Sequence, residues 1–178
     1  MDQKSEFIVS ELWILAWRAS VQRANLYKKD IDKSITDKFR KKIINYLSSD
    51  IMREYKDGVT EDRHYINIEK LIKFGNENNH GILSLAGYKY GVAQKLLNLV
   101  LKYHWCLSLI KEPPHCPVDR LVIDKTKFKG KINWTHITQR SEYQKVIEEI
   151  KCIAQKGNLS IPFWELKEFS RRKASLMS

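Results

Sequence analysis

Ile35, Phe39, Ile43, Leu47 and Ile51 recur every four residues. A strand alternates every two, so this row is an apolar stripe along a helix, and it needs a partner to cover it. Helical spacing governs most of the chain. A first helix is expected over about Glu6 to Ala24, with Ile8, Leu12, Leu15 and Val21 apolar and Trp13 and Trp17 four apart on one face. The stripe helix starts near Asp32, with Asp32 or Ser34 as its cap, and Asp57-Gly58 breaks it. A third helix runs from about Glu61 to Phe74 with Ile66, Leu71 and Ile72, and Gly75 reads as its C-cap. Residues 76–81 read as a loop, and Ile82 to Tyr90 as a short helix or a turn.

A strong helix follows over about Val92 to Leu109, carrying Leu96, Leu97, Val100, Leu101 and Trp105. Glu112-Pro113-Pro114-His115-Cys116-Pro117 is a stiff connector. Pro117 suits the first turn of another helix, which would also hold Asp119. Residues 121–137 remain open between more helix, a short β-like segment and an exposed basic loop. Ser141-Glu142-Tyr143-Gln144 matches a capping box, and Gly157 closes that helix. Ser160 and Pro162 open a last helix whose apolar side holds Phe163, Trp164, Leu166 and Phe169. The expectation is an all-α compact domain spanning 1–178, with N-terminal helices over 1–80 and a basic part over 81–178.

Charge divides the chain where periodicity does not. Residues 1–86 hold 15 basic and 13 acidic side chains, and residues 87–178 hold 17 and 8, so a net charge of +11 falls mostly on the second half. Such a surface suits a polyanion, with nucleic acid ahead of an anionic membrane. The longest apolar runs are a few residues, too short to span a bilayer. The polar start and lack of a leader pattern give a cytoplasmic expectation. Cys106, Cys116 and Cys152 cannot all pair and read as free thiols, with Cys106 buried on its helix. His104, Cys106, His115 and Cys116 lack the tight spacing of a zinc site, so no metal and no cofactor are expected. No His-x-x-x-His pair, P-loop or Gly-x-Ser-x-Gly elbow exists either.

The most informative stretch is Gly87-Tyr88-Lys89-Tyr90-Gly91-Val92-Ala93-Gln94-Lys95, followed after a helix by Pro117-Val118-Asp119-Arg120. A glycine-bearing turn feeds a helix with a lysine in its first turns, and an aspartate opens the next helix. This pattern resembles the core of the helix-hairpin-helix DNA glycosylase superfamily, and most nearly the archaeal-type 8-oxoguanine DNA glycosylases. Ile161-Pro162-Phe163-Trp164-Glu165-Leu166 is similar to their closing helix. The resemblance covers residues 82–170 at most. The two glycines stand four apart here, and no proline precedes them.

The resemblance implies a helix-hairpin-helix element that removes a damaged or modified base from DNA, with Lys95 as nucleophile and Asp119 as charge stabiliser. An amine can attack the sugar carbon and form a Schiff base. A carboxylate can offset the positive charge that develops on the sugar. DNA would be held by the turn from Gly87 to Gly91 with Lys89 and Gln94, and by Arg120, Lys129, Lys131 and Arg140 on phosphates. Trp13, Trp17, Trp105, Trp134 and Trp164 are the aromatic candidates for holding an everted base. Lys102 is the competing amine. The alternative function is a basic helical module that binds nucleic acid without catalysis.

Overall fold

The computed structural model describes residues 2–168, and within them every named element is helical. These are α1 (Gln3–Val21), α2 (Lys33–Tyr46), α3 (Glu61–Glu77), α4 (Tyr90–Cys106), α5 (Arg120–Ile123), α6 (Arg140–Lys156) and α7 (Ile161–Glu168). The all-α expectation holds. Residues 121–137 form no strand. They are the end of α5, a run of turns and one 3-10 turn, Trp134–His136. An isolated bridge between Tyr27 and Leu83 ties the α1–α2 loop to the α3–α4 loop.

The four-residue stripe explains an irregularity in α2. An α-helix turns about 100° per residue, so a strict four-residue row drifts about 40° at each step. The chain absorbs the drift by widening into a π-helical turn at Leu47–Ile51, then tightening into 3-10 at Met52–Tyr55. Phe39, Ile43, Leu47 and Ile51 all stay buried, whereas Ile35 at the far end is exposed. Asp32 caps this helix, accepting from Ser34 N at 2.6 Å.

At the centre lies α4, packed by α1, α3, α6 and the Trp134 turn. Every residue from Tyr90 through Lys102 is buried. The two halves of the chain therefore share one core. A helix buried on all sides must find a partner for each polar side chain it carries. On α4 these are Gln94, Lys95, Asn98 and Lys102.

Several boundaries differ from the sequence reading for physical reasons. Gly75 does not end α3. It lies within the helix, where a Cβ would come 2.8 Å from the Tyr88 ring, so its role is close packing. Asp119 is the N-cap of α5 rather than a first-turn residue, and Pro117 precedes the helix. The N-cap of α6 is Gln139, two residues before Ser141, and Glu142 reaches back to accept from Gln139 N at 3.0 Å. Cys106, at the end of α4, is exposed, while Cys116 is the buried cysteine. Of the apolar side assigned to α7, Trp164 is buried but Phe163 and Leu166 are exposed. Phe169 lies outside the described residues.

Candidate functional site

Lys95 and Asp119 meet. Lys95 Nζ lies 3.5 Å from Asp119 Oδ2, and the two side chains are only 8% and 13% exposed. The amine also lies over the Trp134 ring, 4.1 Å from its centroid. Asp119 divides its carboxylate. Oδ1 accepts from Leu121 N at 2.9 Å and Val122 N at 3.2 Å, which caps α5, and Oδ2 faces the lysine.

A second pair follows one heptad along α4. Lys102 Nζ lies 2.7 Å from Oε2 and 2.9 Å from Oε1 of Glu165, on α7, and both residues are buried. Burial raises the Glu165 carboxyl above its usual range. Lys102 pulls it back, and nearby Asp119 pushes it up further. Cys116 belongs to the same neighbourhood, and burial lifts its thiol well above the ordinary value. Two lysines and two carboxylates thus share one buried charge cluster.

The Trp134 turn is held tightly to the start of α4. Gly91 N donates to Ile137 O at 2.9 Å, and a Cβ on Gly91 would run into the Trp134 carbonyl. Only glycine allows that approach. Beside the turn lies an open cleft of about 350 Å³ lined by Arg120, Lys131, Asn133, Trp134, His136 and Glu142, among others. It shares Trp134 with the Lys95 site, and its Arg120 directly follows Asp119 in the chain.

The remaining sequence candidates scatter. The turn residues Gly87 and Gly91 already use their amides, Gly87 N on Ser84 O and Gly91 N on Ile137 O. Tyr88 N is held by Asn76 Oδ1. This turn is anchored to its own protein, not spread open as a phosphate cradle. Lys89 caps the start of α4, its Nζ reaching Ala24 O at 3.3 Å, and burial lowers its amine. Gln94 faces no open surface. It is completely buried and hydrogen-bonds Val118. Arg120, Lys129 and Lys131 are exposed around α5 and the following turns. Arg140 leans on Tyr65, 4.2 Å from the ring centroid, and pairs with Asp62 and Glu69.

Of the tryptophans, Trp134 is the one that lies beneath the Lys95 amine. Trp17 and Trp164 are core residues, Trp13 packs edge-on against His104, and Trp105 edge-on against Phe163. Glu165 is the participant that sequence reasoning missed. The sequence signal for it is an acid set among the apolar residues Ile161-Pro162-Phe163-Trp164 and Leu166. No group of three or more His, Cys, Asp or Glu that could hold a metal occurs among the described residues. None of the described helices is long and apolar enough to cross a membrane. No protein-family model, curated protein or solved structure matches this chain.

Proposed function

We propose that the chain is a DNA base-excision enzyme, an N-glycosylase with abasic-site lyase chemistry. The observation that carries this reading is the buried Lys95–Asp119 pair, lying against Trp134 and beside a cleft that carries Arg120, Lys131 and His136. Lysine is expensive to bury, and a lysine held next to a carboxylate near an open cleft of mixed charge, lined by Arg120 and Lys131 with Asp124 and Glu142, has the parts that amine chemistry on a sugar requires.

In this reading Lys95 enters the reaction as the free amine, having lost its proton. The Nζ lone pair attacks the sugar C1′, and the C1′–N bond breaks with its electron pair leaving on the base, which takes up a proton. Nζ then gives up a second proton and the C1′–O4′ bond breaks with its electron pair on O4′, which takes up a proton, so the ring opens to the protonated imine. Asp119 Oδ2, 3.5 Å from Nζ, offsets positive charge on the sugar and can accept a proton from the amine. Abstraction of a 2′ hydrogen next to the imine expels the 3′ phosphate, and water hydrolyses the imine to free Lys95. Trp134 is buried beneath the amine, so it shapes the Lys95 site rather than offering an open face to an everted base. The strand is held by exposed Arg120, Lys129 and Lys131, since the Gly87, Tyr88 and Gly91 amides of the 87–91 turn are already engaged within the protein.

The test is borohydride trapping on duplexes carrying 8-oxoguanine, uracil, an abasic site or a modified cytosine. A covalent adduct is expected on at least one of them, and it disappears in Lys95→Gln while duplex affinity stays within about twofold, since one amine that is not a phosphate contact changes little. Salt-sensitive binding with no adduct and no released base on any duplex would replace this reading with a non-catalytic nucleic-acid-binding module.

A further inference from the structure

Gln94 is the most fully engaged polar side chain in the core. Its Oε1 accepts from Val118 N at 3.2 Å and from Asn98 Nδ2 at 3.3 Å. Its Nε2 donates to Val118 O at 2.7 Å and to Gly91 O at 3.0 Å. One amide thus grips both backbone groups of Val118, the residue immediately before Asp119. Gln94 and Lys95 are neighbours on α4, so one helix turn holds the backbone beside the carboxylate and the amine opposite it.

The grip has a fixed direction. Asn98 Nδ2 also donates to Tyr143 Oη at 3.0 Å, and Tyr143 Oη donates in turn to His115 Nδ1 at 3.0 Å. His115 Nε2 donates to Glu61 Oε1 at 3.2 Å. Burial pushes His115 down, so its ring is neutral and carries one proton, on Nε2. Donors and acceptors alternate without conflict from Glu61 through the core to Val118. A carboxylate at position 94 would oppose the Gly91 and Val118 carbonyls, and an apolar side chain would leave the buried Val118 groups without their partner.

We infer that Gln94 is the positioning residue that sets Asp119 against Lys95, by clamping the Val118 peptide groups. The inference rests on the glycosylase reading for its kinetic consequence, but not for its structural one. Asp119 is held at three points: the peptide before it through Val118, its Oδ1 through the α5 cap, and its carbonyl, which accepts from Ile123 N at 2.9 Å. Release of the first lets the carboxylate move relative to the amine, and a displacement near 1 Å at a reacting centre costs on the order of 100-fold in rate.

Gln94→Met keeps the length and removes the hydrogen bonds. Single-turnover trapping at saturating protein is expected to fall by roughly 10- to 100-fold, with duplex affinity within about twofold. Amide hydrogen exchange at Leu121 and Val122, whose N–H groups are bonded to Asp119 Oδ1, is expected to quicken while the interior of α4 stays protected. Gln94→Glu supplies the second arm. Its carboxyl, once protonated, regains a donor towards Val118 O, so protection of Leu121 and Val122 is expected to recover as pH falls. A merely structural role would not single out these two amides or show that recovery. Wild-type protection factors at Leu121 and Val122 in folded Gln94→Met, or protection factors in Gln94→Glu that do not rise as pH falls once intrinsic exchange is divided out, overturn the inference. If the wild-type protein traps no duplex, the glycosylase reading fails alone, and the exchange measurements still decide the clamp.

Discussion

Lys95–Asp119 and Lys102–Glu165 are both lysine–carboxylate pairs, both buried, and both borne by α4 seven residues apart. They are built differently. The Lys102 pair is tight, with both Glu165 oxygens within 2.9 Å of the amine, and its acid comes from a helix packed over it. The Lys95 pair is 3.5 Å apart, shares its carboxylate with a helix cap, and has an aromatic face beneath the amine and a cleft nearby. In the first pair each ion is the other's principal partner. In the second the carboxylate has prior backbone commitments, and the amine is left with the looser contact. Burial is common to both lysines, and what distinguishes the two pairs is how the carboxylate is shared.

The largest effect expected from this contrast is on stability. Lys102→Met leaves Glu165 buried without its cation and should cost about 3 kcal/mol in urea unfolding at neutral pH. Lys95→Met should cost about 1 kcal/mol, because Asp119 keeps two backbone donors. Equal losses would break the comparison. Pairing Lys102→Met with Glu165→Met should restore most of the loss, since two apolar groups replace two ions.

Gly91→Ala sharpens the second half. The added methyl forces the Trp134 turn off α4, at about 1–3 kcal/mol, and Trp134 fluorescence should shift to the red as its ring leaves Lys95. Asp119 offers a finer cut. Asp119→Ala should lose about 1 kcal/mol of cap energy and Asp119→Asn only a fraction of it, yet both remove the charge facing Lys95. Trapping that survives in Asp119→Asn would show that the cap, not the charge, is what the site needs.

The smallest expected effect is a pH dependence. Burial holds the Glu165 carboxyl above its ordinary value of 4.5, so the folded protein binds that proton more tightly than the unfolded chain. Its contribution is present below 4.5 and is lost as pH rises through 4.5 towards the folded midpoint. Glu165→Gln should flatten that segment of the stability–pH curve.

Much of this was legible in local sequence. Asp32, Gly157 and Pro162 mark helix ends because capping and φ restriction act within a few residues. The meeting of Lys95 with Asp119 was also legible, through two short motifs separated by one helix and one connector. What could not be read is set by tertiary packing. Gln94 looks like a polar first-turn residue until α4 is seen to be buried on all sides. Gly75 looks like a stop until Tyr88 is found against it. The partnership of Lys102 with Glu165 joins residues 63 positions apart, and Trp134 differs from the other tryptophans only by where the turn holding it docks. The 87–91 turn kept its glycines, yet one of them serves the docking of Trp134 rather than a ligand.

The divided carboxylate of Asp119 bears on how descendants of this chain would diverge. Selection for folding alone would preserve an acid or its close mimic at 119, because α5 starts on it. A lineage that abandoned chemistry would therefore carry Asp119 forward as an architectural inheritance. Lys95 caps no helix, and in such a lineage it would drift sooner, towards the apolar side chains that suit a buried helix. Under the proposed glycosylase reading, the residue at 95 rather than the one at 119 would separate active relatives from inactive ones.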